Sequence, residues 1–368
     1  MKAAPKSSIG DGILPAHGIE ILINNGGIGS YLPILDGQVQ PASLDLRLGR
    51  VAFRVRASFL PGPKNTVEDK LKELCLHEIN LSNGAVLETG CVYIVPLIEN
   101  LNLAPYISAA ANPKSSTGRL DVFTRVITDQ GQSFDTVRAG YEGPLYAEIS
   151  PKTFSILVRE GTTLSQIRFR CGECQHSDEE IHSLHEESTL VYAGNVDINN
   201  GIALSVDLEG TGKGSLIGYR AKRYSGLIDM SQIGAYDIDD FWEPIINRGN
   251  HSLILDPDQF YILVSKEAIH VPPSHAAEMV PINPLVGEFR VHYAGFFDPG
   301  FGHWEAGGTG SRAVLEVRSH DVPFVLDDGQ IIGRLIYERL TEPPKVVYGQ
   351  GIGSNYQAQG LKLSKHFR

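Results

Sequence analysis

The stretch NPKSSTGRLD (112–121) places two cations and two hydroxyls within six positions, directly after an apolar run. Lys114 and Arg119 carry the positive charge, and Ser115 and Ser116 carry the hydroxyls. A guanidinium can bind phosphate through two parallel hydrogen bonds, whereas an ammonium acts as a point charge. The spacing therefore favours the binding of a polyanion, and a solvated turn is the alternative interpretation.

Two glutamates stand in the middle of apolar, strand-like runs. Glu148 lies in LYAEIS (145–150), and Glu316 lies in AVLEVR (313–318). A carboxylate held among apolar residues tends to have a raised pKa, which suits a general base near neutral pH. The alternative is that each glutamate faces water at the edge of a sheet.

A third feature occurs only in the second half of the chain. The sequence GFFDPGFG (295–302) places Asp298 in a tight Pro-Gly turn ahead of the Glu316 strand, where the first half has Arg138. The Gly-rich tail VVYGQGIGSNYQAQG (346–360) also has no counterpart. It is interpreted either as a lid that orders over a ligand or as a disordered terminus.

Composition indicates an ordinary soluble globular protein rich in strands. The chain has 368 residues, of which 42% are hydrophobic and 20% charged, with 39 glycines and 21 prolines that favour many turns. A net charge of −11 argues against nucleic-acid binding. No signal peptide or membrane span is expected, and four cysteines do not form a disulfide scaffold, so a cytoplasmic location is the default expectation.

The chain contains an internal repeat that covers most of its length. SLDLRLG (43–49) is echoed by LSVDLEG (204–210), and further pairs keep a constant offset of 168 residues (261 − 93). The pairs that hold this register are Tyr93 with Tyr261, Glu148 with Glu316, and Gly161 with Gly329. A chance alignment would not keep register over this distance, so the sequence predicts a tandem duplication.

Each copy is predicted to be mostly β, with few short helices. HGIEILINNG (17–26) and TVEDKLKEL (66–74) have helical spacing, the second with Thr66 as a candidate N-cap. The polar, acidic stretch after Cys174 is predicted to be a linker. The expected division is a first domain at 1–174, an acidic linker at 175–188 and a second domain at 189–368.

The sequence CGECQH (171–176), followed by His182 and His185, is a candidate structural zinc site, and a linker without metal is the alternative. Zinc-dependent nucleobase deaminases place His-x-Glu before Pro-Cys-x-x-Cys. Here the cysteine pair follows Arg170, and the neighbouring His-x-Glu, which ends at Glu187, comes after it. If the protein deaminates a base, we therefore expect it to do so without a catalytic metal.

Together these motifs resemble the trimeric dUTPase and dCTP deaminase superfamily, specifically the dCTP deaminase family. QPASLDLRLG (40–49) resembles its N-terminal signature, and KSSTGRL (114–120) its Arg-Ser-Ser-x-x-Arg motif, with lysine in the first position. FDPGFG followed by AVLEVR resembles the turn and strand that carry the family's catalytic glutamate. LDDGQIIGRLIYERL (326–340) and YGQGIGSNYQAQG (348–360) resemble its Pro-Gly-Met-x-Ile-Gly strand and closing tail.

The resemblance implies two tandem dUTPase-like β-clip domains (distorted jelly rolls) and hydrolysis of the cytosine amine of dCTP to give dUTP and ammonia. It implies that a glutamate activates water, that Mg²⁺ arrives with the nucleotide, that no catalytic zinc is needed, and that the protein is a trimer-like homo-oligomer. The catalytic residues implied are Glu316, Glu148, Ser115 and Arg119. The substrate-binding residues implied are Lys114, Ser116, Asp298, Tyr348, Tyr356, Gln357 and Gln359.

In this family the active site lies between subunits, and the two copies divide its motifs. Copy one keeps the KSSTGR segment, whereas its counterpart in copy two, PINPLVGEF (281–289), has neither serine nor cation. Copy two keeps Asp298, Glu316 and the tail. The hypothesis is one complete site per pair of copies, with Glu148 a relic or a structural acid. If the insertion GHWEAGGTGS (302–311) closes that site, the alternative is that copy one works with Glu148.

Three competing functions stay open from the sequence. The superfamily also includes dUTP diphosphatases, and a bifunctional enzyme would continue from dCTP to dUMP. The glutamate on the strand favours deamination. A non-catalytic nucleotide-binding or assembly protein would bind nucleotide without turnover.

Overall fold

The computed structural model of the protein describes residues 10–192, 196–281, 289–291 (backbone only), 295–304, 310–319, 321–345, 347–348 and 360–368. The chain forms two compact units. Unit 1 combines Met1–Cys174 with Gly226–Ala235 and Leu340–Lys345. Unit 2 combines Gln175–Ser225, Tyr236–Arg339 and Val346–Arg368.

Unit 1 consists mainly of antiparallel sheets. Its strands are β1 (Gly12–Ile13), β2 (Ile28–Ser30), β3 (Leu44–Arg47), β4 (Val51–Val55), β5 (Cys75–Asn80), β6 (Ala85–Leu87), β7 (Val92–Asn102), β8 (Ile107–Pro113), β9 (Val122–Thr128), β10 (Thr136–Val137), β11 (Glu142–Pro151), β12 (Ile156–Val158), β13 (Thr163–Cys171) and, from the later part of the chain, β17 (Ile228–Asp229). One sheet has the order β5-β4-β7-β11-β9, and a second has β1-β13-β8-β10, with β3 also on β13. A third sheet, β17-β12-β6, contains a parallel pair between β12 and β17.

Unit 2 repeats this arrangement. Its strands are β14 (Val191–Tyr192), β15 (Ile202–Ser205), β16 (Leu216–Ala221), β18 (Trp242–Ile246), β19 (Ser252–Leu255), β20 (Phe260–Ile269), β21 (His275–Pro281), β22 (Phe289–Val291), β23 (Phe296–Phe297), β24 (Ser311–Ser319), β25 (Phe324–Asp327) and β26 (Ile331–Arg339). The sheets have the orders β18-β16-β20-β24-β22, β15-β26-β21-β23 and β19-β25. Buried residues from the two larger sheets form one apolar core.

The strand orders of the two units match in the largest sheet and, apart from the additional strand β1 of unit 1, in its partner sheet. The register matches as well, because Glu148 pairs across from Ile94 and Glu316 pairs across from Ile262. Both residues of the second pair come 168 positions after their counterparts (316 − 148 and 262 − 94). The predicted mostly β fold with few short helices is confirmed in the described part of the chain.

Five helices accompany these strands in the described residues: α1 (Ala16–Asn24), α2 (Val67–Leu74), α3 (Ser115–Gly118), α4 (Asp178–Glu187) and α5 (Ile238–Phe241). The first two confirm the helices predicted from spacing. Thr66 caps α2 as predicted, with its hydroxyl accepting from the Asp69 N–H while Asp69 returns a bond to the Thr66 N–H. The segment expected to be a linker contains α4, which begins with a similar capping box at Ser177.

A buried ion pair stabilises strand β3 of unit 1. Arg47 and Glu99 are 2% and 1% exposed, and the Arg47 Nε donates to Glu99 Oε1 over 2.7 Å. The remaining acceptor and donors are also satisfied, since the Arg47 backbone N–H donates to Glu99 Oε2 and the guanidinium donates to Ser30 and to the Pro33 carbonyl. Full hydrogen bonding is the condition under which a buried pair is tolerated.

Replacing Glu99 by glutamine should lower the free energy of unfolding by about 3–5 kcal/mol, because the change leaves Arg47 buried without a counter-charge. Urea denaturation measures this loss. The matched control is Glu160→Gln, whose partner Arg50 is exposed, and its expected loss is below about 1 kcal/mol. Equal losses in the two variants would contradict the buried-pair interpretation.

Candidate active site

The hydroxyl-and-cation segment, residues 114–119, follows strand β8 and contains helix α3. Ser116 and Arg119 are 6% and 3% exposed, so the interpretation of this segment as a solvated turn is wrong. Lys114 is largely buried and forms an ion pair with Asp45 of strand β3. Ser115 is half-buried. The segment is thus a packed element in which serine hydroxyls lie near a lysine whose charge is balanced by Asp45.

Glu148 lies on β11, which pairs with β7 on one side and β9 on the other in the largest sheet of unit 1, and it is 1% exposed. The alternative of a water-facing glutamate at a sheet edge is therefore wrong for this residue. Arg125 of β9 stands directly across from it. Its Nε donates to Glu148 Oε1 over 3.1 Å, and its Nη2 donates to the same oxygen. The carboxylate is buried with its counter-charge.

Glu316 occupies the matching place in unit 2, on β24, and is 4% exposed. Its cross-strand neighbour on β20 is the apolar Ile262. Residues 313–317 of this strand are all buried, so Glu316 lies among apolar residues rather than in water. Both units therefore hold a buried carboxylate at the same register of their largest sheet.

The Asp298 turn forms as predicted. Phe301 donates its backbone N–H to the Asp298 carbonyl over 3.0 Å, with Gly300 in the left-handed region at a φ of 91°. Tyr348 lies against this turn, because its N–H donates to the Pro299 carbonyl over 2.7 Å and its ring is 5.7 Å from that of Phe301. The structure thus brings the start of the Gly-rich tail to the Asp298 turn. Tyr356, Gln357 and Gln359 lie outside the described residues.

The insertion after this turn begins and ends at neighbouring glycines. Gly310 donates its N–H to the Gly302 carbonyl over 2.9 Å, and residues 305–309 lie outside the described part. Gly302 must be glycine, because a Cβ there would lie 2.2 Å from the Ile269 carbonyl oxygen. Beside the insertion lie two buried histidines that the sequence did not single out, His270 and His303, with ring centroids 6.3 Å apart.

The cysteines of CGECQH lie at the end of the first segment of unit 1, and the histidines that follow them lie in unit 2. These residues have separate structural roles. Cys174 is buried, with its Sγ 3.6 Å from the Cys171 carbonyl, and burial raises the pKa of Cys171 to about 11. In unit 2, His185 accepts the Leu190 N–H at the end of α4. Among the described residues, no three His, Cys, Asp or Glu side chains lie close enough together to hold a metal ion. His176 instead packs on another histidine, His275.

Arg125 is the residue that the sequence analysis missed. Its position across from Glu148 follows from the pairing of β9 with β11, and that register is not visible in either strand alone. Two aromatic rings accompany it, since the guanidinium carbon lies 3.4 Å from the ring centroid of Phe134 and 4.5 Å from that of Phe123. Knowledge of the strand register would have shown the ion pair.

The fold and the candidate site together define a tandem-repeat β protein that buries a glutamate at the same register of the largest sheet in each unit. A family model described as the N-terminal domain of 2'-deoxycytidine 5'-triphosphate deaminase matches residues 10–173, and the model of the C-terminal domain matches residues 177–367. The chain belongs to this family, which confirms the resemblance read from the motifs. None of the helices in the described ranges has the length and apolarity needed to span a bilayer.

One protein with a crystal structure and two proteins with assigned activities are similar to this chain. The chain is similar to the crystal structure of 2'-deoxycytidine 5'-triphosphate deaminase from Agrobacterium tumefaciens, with 60% identity, a TM-score of 0.89, and coverage of 93% of this chain and 99% of the other. A "dCTP deaminase, dUMP-forming" of Beutenbergia cavernae is 30% identical over 39% of this chain and 76% of its own length. The protein of the same description from Halobacterium salinarum is 30% identical over 33% of this chain and 60% of its own length.

The contact between His176 and His275 in unit 2 predicts that the free energy of unfolding falls in acid. Burial, followed by the nearby His176 and Arg339, lowers the pKa of His275 to about 4. The unfolded chain binds the proton near pH 6.5 and the folded chain only near pH 4, so this contribution is present above pH 6.5 and is lost as the pH falls towards 4. The expected loss is about 3 kcal/mol across this window.

Urea denaturation of the wild type and of His275→Gln between pH 7 and pH 4 measures this effect. The variant should show a shallower decline of the free energy of unfolding with acidification. His77→Gln is the control, because His77 is exposed on β5 and its removal should leave the pH profile unchanged. Parallel profiles for the wild type and His275→Gln would rule out His275 as the source.

Proposed function

We propose that the protein hydrolyses the 4-amino group of the cytosine in dCTP, giving dUTP and ammonia. The observation that carries the proposal is Glu316, buried in the middle of β24 after the Asp298 turn, in the region matched by the C-terminal family domain. The similarity to the Agrobacterium tumefaciens deaminase supports the same reaction.

The reaction needs a base that is placed at the reacting carbon. In the proposed mechanism, Glu316 takes a proton from a water molecule while the water oxygen adds to C4 of the pyrimidine. That proton passes to N3 of the ring. The remaining hydroxyl proton then passes through the glutamate to the amino nitrogen, the C4–N bond breaks, and ammonia leaves as the C4 carbonyl forms. A positioned base typically contributes a factor of about 100 to 10,000 to the rate. No zinc is assigned, because the order of the Cys and His motifs differs from that of zinc deaminases.

Substrate contacts are assigned to two groups of residues. The hydroxyl-and-cation segment, with Ser115 and Arg119 as its central donors and Lys114 and Ser116 beside them, has the chemistry to bind the anionic nucleotide. Asp298 and Tyr348, with Tyr356, Gln357 and Gln359 from the tail, are the second group. Mg²⁺ is proposed to arrive as part of the nucleotide substrate. A β-clip fold for each unit and a trimer-like homo-oligomer are also proposed, on the strength of the family.

Glu316 rather than Glu148 is proposed as the working base. In unit 1, Glu148 is buried in an ion pair in which Arg125 donates two N–H groups to Oε1, so we assign that carboxylate a structural role. The chain then uses Glu316 from unit 2 and the hydroxyl-and-cation segment from unit 1. Glu148 becomes a structural acid.

Glu316→Gln should lower the rate of ammonia release from dCTP with Mg²⁺ by about 100-fold or more, because it removes the base while keeping the side-chain shape. Glu148→Gln is the matched control and should change this rate less than about tenfold, because that residue is assigned a structural role. Ammonia release is measured on the purified full chain. Loss confined to Glu148→Gln would move the chemistry to unit 1, and no release by the wild type would favour nucleotide binding without turnover.

A second candidate function is the conversion of dCTP to dUMP, favoured by the description "dUMP-forming" of several relatives. We expect dUTP to accumulate without pyrophosphate, because cleavage of the triphosphate needs a second activated water and Glu148 is engaged by Arg125. Nucleotide products and pyrophosphate are measured after incubation with dCTP, and separately with dUTP. Pyrophosphate released in step with ammonia would establish the bifunctional reaction.

A further inference from the structure

The guanidinium group of Arg125 in unit 1 is enclosed by aromatic rings and hydrogen-bond acceptors. Its guanidinium carbon lies 3.4 Å from the ring centroid of Phe134 and 4.5 Å from that of Phe123. Its Nη2 donates to the Ser58 hydroxyl over 3.0 Å, and its Nε and Nη2 both donate to Glu148. Two aromatic faces, a hydroxyl and a buried carboxylate therefore surround one planar cation.

The carboxylate in this arrangement is fixed by the sheet. Glu148 is 1% exposed and sits between two paired strands, so its position does not depend on the arginine alone. Ile94, directly across from it on β7, belongs to an apolar cluster that helix α2 covers with Val67 and Leu71. Apolar walls on this face keep water away and strengthen a charged hydrogen bond to the carboxylate.

The way Arg125 binds leaves one acceptor unused. A guanidinium that pairs with a carboxylate for structural purposes commonly grips both oxygens in a fork. Here both N–H groups point to Oε1, and Oε2 is buried without a hydrogen-bond partner among the described residues. A planar group with two parallel N–H donors could engage both oxygens, which the tethered arginine does not do.

We propose that Phe123, Phe134, Ser58 and Glu148 form a recognition slot for planar amidine-type cations, and that Arg125 fills this slot as an internal ligand. The ligand class is defined by two adjacent N–H donors on a flat, positively charged group. Guanidinium ions and 4-aminopyrimidines protonated at N3 both belong to it. The slot lies wholly within unit 1 and does not rest on the proposed deamination, since its readout is binding.

Removing the Arg125 side chain should vacate the slot for a free ligand. The test titrates full-length Arg125→Ala with methylguanidinium at millimolar concentration, far below the molar range in which guanidinium denatures proteins, and follows the thermal midpoint and the heat of binding. We expect saturable binding to Arg125→Ala that is at least about tenfold tighter than to the wild type, whose slot is filled. A parallel titration with cytosine at mildly acidic pH shows whether the slot accepts an aminopyrimidine or guanidinium alone.

Two control variants and two control ligands isolate the slot. Arg125→Ala with Glu148→Gln should lose the binding, because the carboxylate no longer carries charge. Arg54→Ala removes an arginine that lies over the single ring of Tyr93, and it should gain no binding. Tetramethylammonium, which is charged but not planar, and urea, which is planar but neutral, should not substitute for methylguanidinium.

The result that overturns the proposal is binding to Arg125→Ala that is no tighter than binding to the wild type or to the double variant. If Arg125→Ala is recovered unfolded, its refolding yield with and without methylguanidinium replaces the titration. A ligand-dependent gain in folded protein, absent in the double variant, supports the slot. No gain means that the arginine is a structural partner only.

Discussion

Burying a carboxylate in the middle of a sheet is unfavourable unless its charge is compensated, and this cost shapes both units. Glu148 and Glu316 occupy the same register and are 1% and 4% exposed. In unit 1 the compensation is visible as Arg125 on the neighbouring strand. Arg125 occupies Oε1 of this carboxylate, whereas Oε2 has no hydrogen-bond partner among the described residues.

Duplication allows the two units to keep one scaffold and to carry different motifs. The two units share their strand orders and the register of their glutamates, so the scaffold was kept while the groups around it changed. Unit 1 carries the hydroxyl-and-cation segment, and unit 2 carries the Asp298 turn with Tyr348 packed against it. Under the proposed function, the unit that does not supply the base can change the residues around its glutamate, and Arg125 lies across from Glu148 in that unit.

The sequence predicted the features that depend on local patterns. Helix α2 with its Thr66 cap follows from helical spacing, and the burial of the two strand glutamates follows from the apolar residues that flank them. Helix α4 was missed because its acidic composition suggests a linker, although the Ser177 and Glu180 of its capping box are visible in the sequence. Tyr356, Gln357 and Gln359 of the tail lie outside the described residues, so their assignment to the site rests on the sequence motif alone.

Features that depend on pairing between distant segments were not predictable from the sequence. The Arg125–Glu148 pair requires the register of β9 against β11. Strand β17 comes from the later part of the chain and pairs in parallel with β12, where Arg159 holds Asp229 through two hydrogen bonds of 2.7 and 2.9 Å. No periodicity within either segment encodes such a contact, because the partner strand decides it.

Charge compensation also limits how unit 1 could attract a nucleotide. Arg47 is committed to Glu99 and Lys114 to Asp45, so two cations near the N-terminal signature and the hydroxyl-and-cation segment are already neutralised inside the unit. With a net charge of −11, the protein as a whole repels a triphosphate. Under the proposed function, binding must therefore rely on directed hydrogen bonds from hydroxyls and Arg119, and on Mg²⁺ that reduces the charge of the incoming nucleotide. Specificity for the base then depends on the residues around the buried glutamate, which explains why the two units can differ there while their sheets remain the same.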